Sequence, residues 1–282
     1  KEYEQQKQSV SSFASIKHCY QYLEPFYGKT PLNIFTKDVV NFRLVLENHV
    51  NRHGKKFSLQ TIAHILKLLR TLINFAVKNE LSPKNSALYF DIPKVQNTVN
   101  EYLSEKQLKQ YIAALQQEEN IYAKAFLTTA LYTGMRKKAL YYLAWQDIDS
   151  RHNVIYLQAK TAKKRQLDFI PLPSSVKQIL KRLPQKGEYI FLDENKKPYV
   201  NYFQKAKAIK EKIGLPKNYR PLYMLRHNFA SILANSGTNL YIIQKLLTHN
   251  SPAMTQRYAH LNDKSLQQSS RRVSKIIQKY FE

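Results

Sequence analysis

The chain has 282 residues, enough for two domains or one large one and for a buried core in either case. Lysine and arginine (45) outnumber aspartate and glutamate (20), giving a net charge of +25 and a pI near 9.9, an excess that calls for a polyanionic partner, nucleic acid first. No apolar run approaches the roughly 20 residues of a membrane-spanning helix, and the single cysteine, Cys19, excludes an internal disulfide or a cysteine-based zinc cluster and fits a reducing interior.

Residues 1–92 read as a small helical domain. A weak amphipathic pattern runs from about Ser9 through Phe13, Ile16, Tyr20 and Leu23. A second helix follows Thr36, with Val39, Val40, Leu44 and Val50 expected among its buried positions. Ser58 is placed to cap a third, in which Leu59, Ile62, Ile65, Leu66, Leu69, Leu72 and Ile73 recur at helical spacing. Leu81-Ser82-Pro83-Lys84-Asn85 ends it. The aperiodic stretch that follows reads as a linker, set at 93–100.

A second domain spans 101–282. Ser104 with Gln107 forms a capping box ahead of a helix from Leu108 to Gln116. Further helices are expected over Tyr122–Tyr132 and Lys137–Leu143. Around Val154-Ile155-Tyr156-Leu157 and Leu167-Asp168-Phe169-Ile170 the composition turns β-branched and aromatic, which predicts a hairpin whose loop is the basic run Lys160 to Arg165. Ser174 opens another helix, and Asn235-Ser236-Gly237 closes one. The predicted class is therefore mainly α with a small antiparallel β-sheet. The start at Lys1, with neither methionine nor an apolar leader, suggests a piece of a longer chain.

Four segments far apart in sequence carry the chemistry. They are Thr133-Gly134-Met135-Arg136, followed by Leu140 and Leu143-Ala144-Trp145-Gln146-Asp147-Ile148-Asp149; Lys160-Thr161; Leu225-Arg226-His227 with Phe229-Ala230-Ser231; and Leu246-Leu247-Thr248-His249 with Met254, Arg257 and Tyr258-Ala259-His260. Trp145, Leu143 and Ile148 read as packing residues. Guanidinium groups donate paired hydrogen bonds to phosphate oxygens, so Arg136 and Arg226 suit the charge that builds on a phosphodiester under attack. Taken together the order arginine, lysine, arginine, histidine, tyrosine resembles the tyrosine recombinase (phage integrase) family across essentially the entire second domain. His249 and Tyr258 keep the nine-residue separation of that family.

The resemblance implies a helical core-binding (SAM-like) domain followed by a catalytic domain, and an enzyme that cleaves and rejoins DNA through a covalent 3′-phosphotyrosine. By that resemblance Tyr258 is the nucleophile, Arg136 and Arg226 clamp the phosphate, Lys160 protonates the leaving 5′ oxygen and His249 bonds a non-bridging oxygen. Lys163 is the reserve for Lys160. No metal and no cofactor is implied. The expected partners are double-stranded DNA, a homo-tetramer on synapsed sites with the C-terminal segment Leu266–Phe281 exchanged between protomers, and accessory DNA-bending or directionality proteins, in a bacterial cytoplasm at the nucleoid. DNA contacts are expected from Lys55, Lys56, Lys67, Arg70, Lys163, Lys164 and Arg165, those of the first domain closing a C-shaped clamp.

This chain departs from the family pattern at three positions. Tyr223 stands where the family usually has histidine, and a phenol with a pKa of about 10 is a poor proton acceptor at neutral pH. Its remaining role is to donate a hydrogen bond to phosphate. His227 is the substitute proton acceptor that the sequence offers, but it follows Arg226 by one residue, which on a helix turns its side chain about 100° away. Ala139 replaces a common acidic residue and Thr248 a glycine. Two other functions compete: a DNA-binding protein without activity, and a type IB topoisomerase.

Overall fold

A computed structural model describes residues 2–7, 13–27, 36–51, 53–81, 89–94, 102–158, 168–192, 198, 202–217, 219–262 and 273. The chain divides into two compact units, Lys1–Asn97 and Thr98–Glu282. Lys160, Lys163, Lys164 and Arg165, most of the expected linker, and the C-terminal segment apart from Val273 lie outside the described residues.

The first unit contains α1 (Glu2–Lys7), α2 (Phe13–Tyr27), α3 (Thr36–Asn48) and α4 (Leu59–Lys78). Ser58 caps α4 as its position predicts, its hydroxyl accepting from the Thr61 N–H at 3.2 Å. The apolar stripe of α4 forms the centre of the core, where Ile62, Ile65, Leu66, Leu69 and Ile73 meet Cys19 and Leu23 of α2 and Val39, Phe42 and Leu46 of α3. Three expectations for α3 fail: Val40 and Leu44 are 51% and 52% exposed, and Val50 lies beyond the helix, bridged to Lys56 and also exposed. The helix carries apolar residues on two sides, and Phe42 fixes the buried stripe at 39, 42 and 46.

The second unit contains α5 (Glu105–Gln116), α6 (Ile121–Thr133), α7 (Lys137–Tyr141), β1 (Ile148–Asp149), β2 (Val154–Leu157), β3 (Asp168–Pro171), α8 (Ser174–Lys181), α9 (Tyr202–Lys212), α10 (Pro221–Asn235), α11 (Leu240–Leu246) and α12 (Ala253–Gln256). The Ser104–Gln107 capping box is formed in both directions. β2 and β3 pair antiparallel in the register Ile155 to Ile170, and β1, two residues long, adds a strand at the other edge of β2. Asp147 holds this corner: its carboxylate accepts from the Ala144 N–H at 3.0 Å and from the Gln158 amide.

Helix α6 is apolar nearly all round and so lies at the centre of the core. Its Phe126 packs against Tyr141, Phe191 and Tyr202 with ring centroids 4.8–5.1 Å apart. Helix α10 packs across α6 and is tied at its middle by Asn228, which accepts from the Leu103 N–H at 2.7 Å and donates to the Tyr219 hydroxyl at 2.9 Å. A satellite cluster of Ala230, Ala234, Ile243, Leu247 and Tyr258 joins α10, α11 and the turn after α12. That cluster seats the tyrosine at the edge of the core. Among the described residues no helix is long and apolar enough to cross a membrane.

Candidate active site

Arg136 owes its position to the glycine two residues before it. Gly134 ends α6 in the left-handed conformation (φ 60°), and a Cβ built on it would lie 2.6 Å from a ring carbon of Phe229. Only glycine meets both demands. The chain then turns sharply enough to present Arg136 at the start of α7.

The end of α11 is built the same way from an unexpected residue. Leu247 caps the helix, Thr248 N–H bonds the Lys245 carbonyl at 2.9 Å and His249 N–H the Gln244 carbonyl at 2.9 Å, which is a Schellman motif. Its left-handed position, normally glycine, is Thr248 at φ 48°. The Thr248 hydroxyl and carbonyl oxygen each accept from Arg136, both at 2.7 Å. Arg226 donates to the Gly134 carbonyl at 2.7 Å and to the Leu247 carbonyl. Both guanidinium groups are thus oriented by oxygens at two helix ends. A space of about 20 Å³ bordered by Ala139, Arg136, Arg226 and Thr248 lies beside them.

Arg136, Arg226, His249 and Tyr258 come together on one cavity of about 370 Å³, with Tyr223 on its rim. Lys137, His227 and Arg257 line it too. Tyr258 is 3% exposed, and its hydroxyl lies 2.6 Å from His227 Nδ1. His249 Nδ1 lies 2.7 Å from the Thr255 hydroxyl. Tyr223 is 42% exposed, its ring edge-on to His227 and covered on another side by the Arg220 guanidinium at 4.2 Å.

The electrostatics follow from crowded cations in a half-dry cavity. Burial and the Arg136 guanidinium push Arg226 down to about 9. Burial likewise lowers Arg136, against the opposing pull of Asp168. Burial, then Arg257, Arg220 and Arg226, push His227 down to about 4. Burial, then Arg226 and Arg136, push His249 down to about 3. Burial raises Tyr258 to about 12 although Arg257 and Arg226 pull the other way. At neutral pH the histidines are uncharged and the tyrosine keeps its proton. Among the described residues no carboxylate lies within salt-bridge distance of Arg136 or Arg226, and the buried Arg257 Nε has no hydrogen-bond partner. Such a pocket is short of an anion.

Lys137 is the residue that reading the sequence left out of the site; His227 it weighed only as a substitute for Tyr223 and set aside on helix direction, and Arg257 it quoted only within a motif. His227 reaches Tyr258 because the nucleophile candidate enters from α12 along the flank of α10, where a turn of about 100° from Arg226 is the required direction. In the first unit, Lys55, Lys56 and Lys67 are exposed. Arg70 is committed within that unit: it donates to the Phe90 carbonyl and lies 4.9 Å over the Phe90 ring. No group of three or more metal-ligating side chains occurs among the described residues.

Residues 101–265 match the phage integrase family model. The chain is 26% identical over 242 residues to a tyrosine recombinase of Thermosipho africanus, covering 84% of each chain. It is 26% identical over 230 residues to tyrosine recombinase XerC of Bacillus subtilis, covering 76% of this chain and 74% of the relative. Among solved structures, the Tn1549 transposon integrase in complex with transposon right end DNA superposes with a TM-score of 0.77 at 19% identity, covering 96% of both chains. The XerH site-specific recombinase bound to its difH substrate gives 0.71 at 17% identity, covering 92% of this chain and 78% of the other.

Proposed function

The chain belongs to the phage integrase family, and from that premise we propose that it is a site-specific tyrosine recombinase that cleaves and rejoins DNA through a 3′-phosphotyrosine formed on Tyr258. The observation that carries this is the convergence of Arg136, Arg226, His249 and Tyr258, from three separate parts of the fold, on one cation-rich cavity. A phosphodiester enters as the missing counter-charge. Arg136 and Arg226 bind its non-bridging oxygens, His249 adds a hydrogen bond, and Tyr223 donates another from the rim. Tyr258 attacks phosphorus as the bond to the 5′ oxygen breaks, and Lys160 gives that oxygen a proton. The phosphotyrosine conserves the energy of the broken bond, so a 5′ hydroxyl of another strand rejoins it without ATP.

The assembly is a homo-tetramer on two synapsed duplexes, with segment 266–281 exchanged between protomers and accessory proteins setting direction. Phosphate contacts from Lys55, Lys56, Lys67, Lys163, Lys164 and Arg165 hold the duplex. The protein serves integration, excision or resolution of bacterial mobile or chromosomal DNA, acting at the nucleoid. Deleting residues 270–282 should change the oligomer size on synapsed DNA.

The decisive experiment recovers DNA covalently attached to the protein in bacterial cells, sequences it, and builds a nicked suicide duplex on the recovered site. Wild type should form an adduct that Tyr258→Phe abolishes while binding persists. Binding without an adduct from wild type would instead make the chain a non-enzymatic DNA-binding protein, and relaxation of plasmids lacking the site would make it a topoisomerase.

A further inference from the structure

In the reaction proposed above, Tyr258 must lose a proton, and the residue at the position where a histidine is expected, Tyr223, is a phenol. The cavity offers few acceptors. Arginine and lysine carry only donors at neutral pH, and the Tyr223 hydroxyl has no appetite for a proton. Two imidazoles remain. His249 Nδ1 is engaged by the Thr255 hydroxyl at 2.7 Å. His227 Nδ1 lies 2.6 Å from the Tyr258 hydroxyl, and both residues are buried, 4% and 3% exposed.

We propose that His227 is a catalytic residue, the acceptor of the Tyr258 proton during strand cleavage and its donor during rejoining. With its own proton on Nε2, the imidazole accepts the phenolic O–H at Nδ1. As the bond from Tyr258 oxygen to phosphorus forms and the bond to the 5′ oxygen breaks, that proton moves to Nδ1 and leaves an imidazolium. In rejoining, a 5′ hydroxyl attacks the phosphotyrosine and gives its proton to the Lys160 amine, left neutral by cleavage, while the tyrosine oxygen departs and takes the proton back from the imidazolium. Atoms and charge balance without an outside reactant.

The surroundings make this base depend on substrate. Arg220 just before α10, Arg226 on it and Arg257 after α12 surround His227 with positive charge, and Tyr223 packs edge-on against it, centroids 4.4 Å apart. Burial and these cations keep the imidazole a weak base in the free protein. A phosphodiester anion bound by the same arginines offsets their field and raises the basicity of His227 where and when the nucleophile has a target. Off site, Tyr258 stays protonated and inert.

The test measures adduct formation on the recovered-site suicide duplex against pH for wild type, His227→Ala and His227→Asn. A parallel series uses a duplex with a 5′-bridging phosphorothiolate, whose sulfur leaves without a proton. Asparagine Oδ1 occupies the place of Nδ1 and accepts the bond, yet cannot carry a proton. Both variants should cleave roughly 100- to 10 000-fold more slowly at pH 7, with DNA binding retained. Their rates should climb about tenfold per pH unit toward pH 9, as the phenol ionises on its own. The phosphorothiolate should rescue Lys160→Ala and leave both His227 variants slow. A wild-type rate for His227→Asn, a loss independent of pH, or rescue by the phosphorothiolate would each overturn the assignment. Absence of an adduct from wild type would instead count against the recombinase reading.

Discussion

Thr248 accepts backbone strain in exchange for its hold on Arg136, and separating the two gives a sharp prediction. A non-glycine residue in the left-handed region costs about 1–2 kcal/mol. The hydroxyl returns a hydrogen bond to a charged group, about 1.5–3 kcal/mol, at 2.7 Å. Thr248→Ala loses the bond and keeps the strain, so it should unfold about 1.5–3 kcal/mol more easily. Thr248→Gly loses the bond and sheds the strain, less about 0.5–1 kcal/mol for the extra freedom of glycine in the unfolded chain. It should sit between alanine and wild type in urea unfolding. Adduct formation should follow a different order. Both variants free one terminal nitrogen of Arg136, and at about 1.4 kcal/mol per tenfold each should cleave roughly 10- to 100-fold more slowly. Thr248→Ser, which keeps the hydroxyl, should recover most of the rate. If Thr248→Gly cleaves at the wild-type rate, the hydroxyl has no positioning role and the reasoning fails.

Other perturbations probe the same framework. Gly134→Ala sets a Cβ 2.6 Å from the Phe229 ring at a φ of 60°; left-handed strain and overpacking together should cost about 2–5 kcal/mol, visible as a lower urea midpoint. Asn228→Leu removes the partner of the buried Leu103 N–H and the Tyr219 hydroxyl, and two orphaned groups should cost about 2–6 kcal/mol in the same assay. His227 and His249 take a proton only near 4 and 3 in the folded chain, against 6.5 for a free imidazole. Below pH 6.5 the unfolded state therefore binds more protons, so stability present above that pH should fall progressively down to about pH 4 and 3, measurable by urea unfolding across the window. DNA binding near neutral pH should take up protons as phosphate offsets the arginines, and titration calorimetry in buffers of different ionisation enthalpy should show it. Binding should also weaken steeply with salt, as phosphate contacts release counterions.

Much of the fold is legible because its signals are local. Helix α4 announces itself through twenty residues of helical spacing after a serine cap, and α5 through a reciprocal capping box. The pairing of β2 with β3 follows from short β-branched and aromatic runs. Two-residue β1 is too short for any periodic signal, and it exists because the corner held by Asp147 brings it to the edge of β2. Val40 and Leu44 mislead because α3 has two apolar sides, and only tertiary packing selects between them. For the site, the resemblance carried by the motifs points to Arg136, Arg226, His249 and Tyr258, while His227 is set aside as a substitute acceptor on helix direction alone. Helix-face arithmetic compares residues on one element, whereas this cavity is closed by α10, the end of α11 and the turn after α12. The hold of Thr248 on Arg136 is invisible for the same reason: it spans 112 residues of sequence.

Burial and uncompensated positive charge together underlie the unusual features of the cavity. Arg136 and Arg226 are desolvated and bound to neutral carbonyl and hydroxyl oxygens, with no carboxylate at salt-bridge distance among the described residues. Each guanidinium has five N–H donors, and these contacts use two of them. A carboxylate would neutralise the pair and then compete with phosphate for the same donors. Carbonyls orient the arginines without cancelling their charge, and Ala139 adds no competitor. Burial first, and the uncompensated field after it, lower Arg226, His227 and His249 together. Its cost falls on the stability of the free protein, and an anion in the cavity removes it. In the proposed reaction the same interaction that recognises a phosphodiester therefore also raises the basicity next to Tyr258, which couples binding to activation.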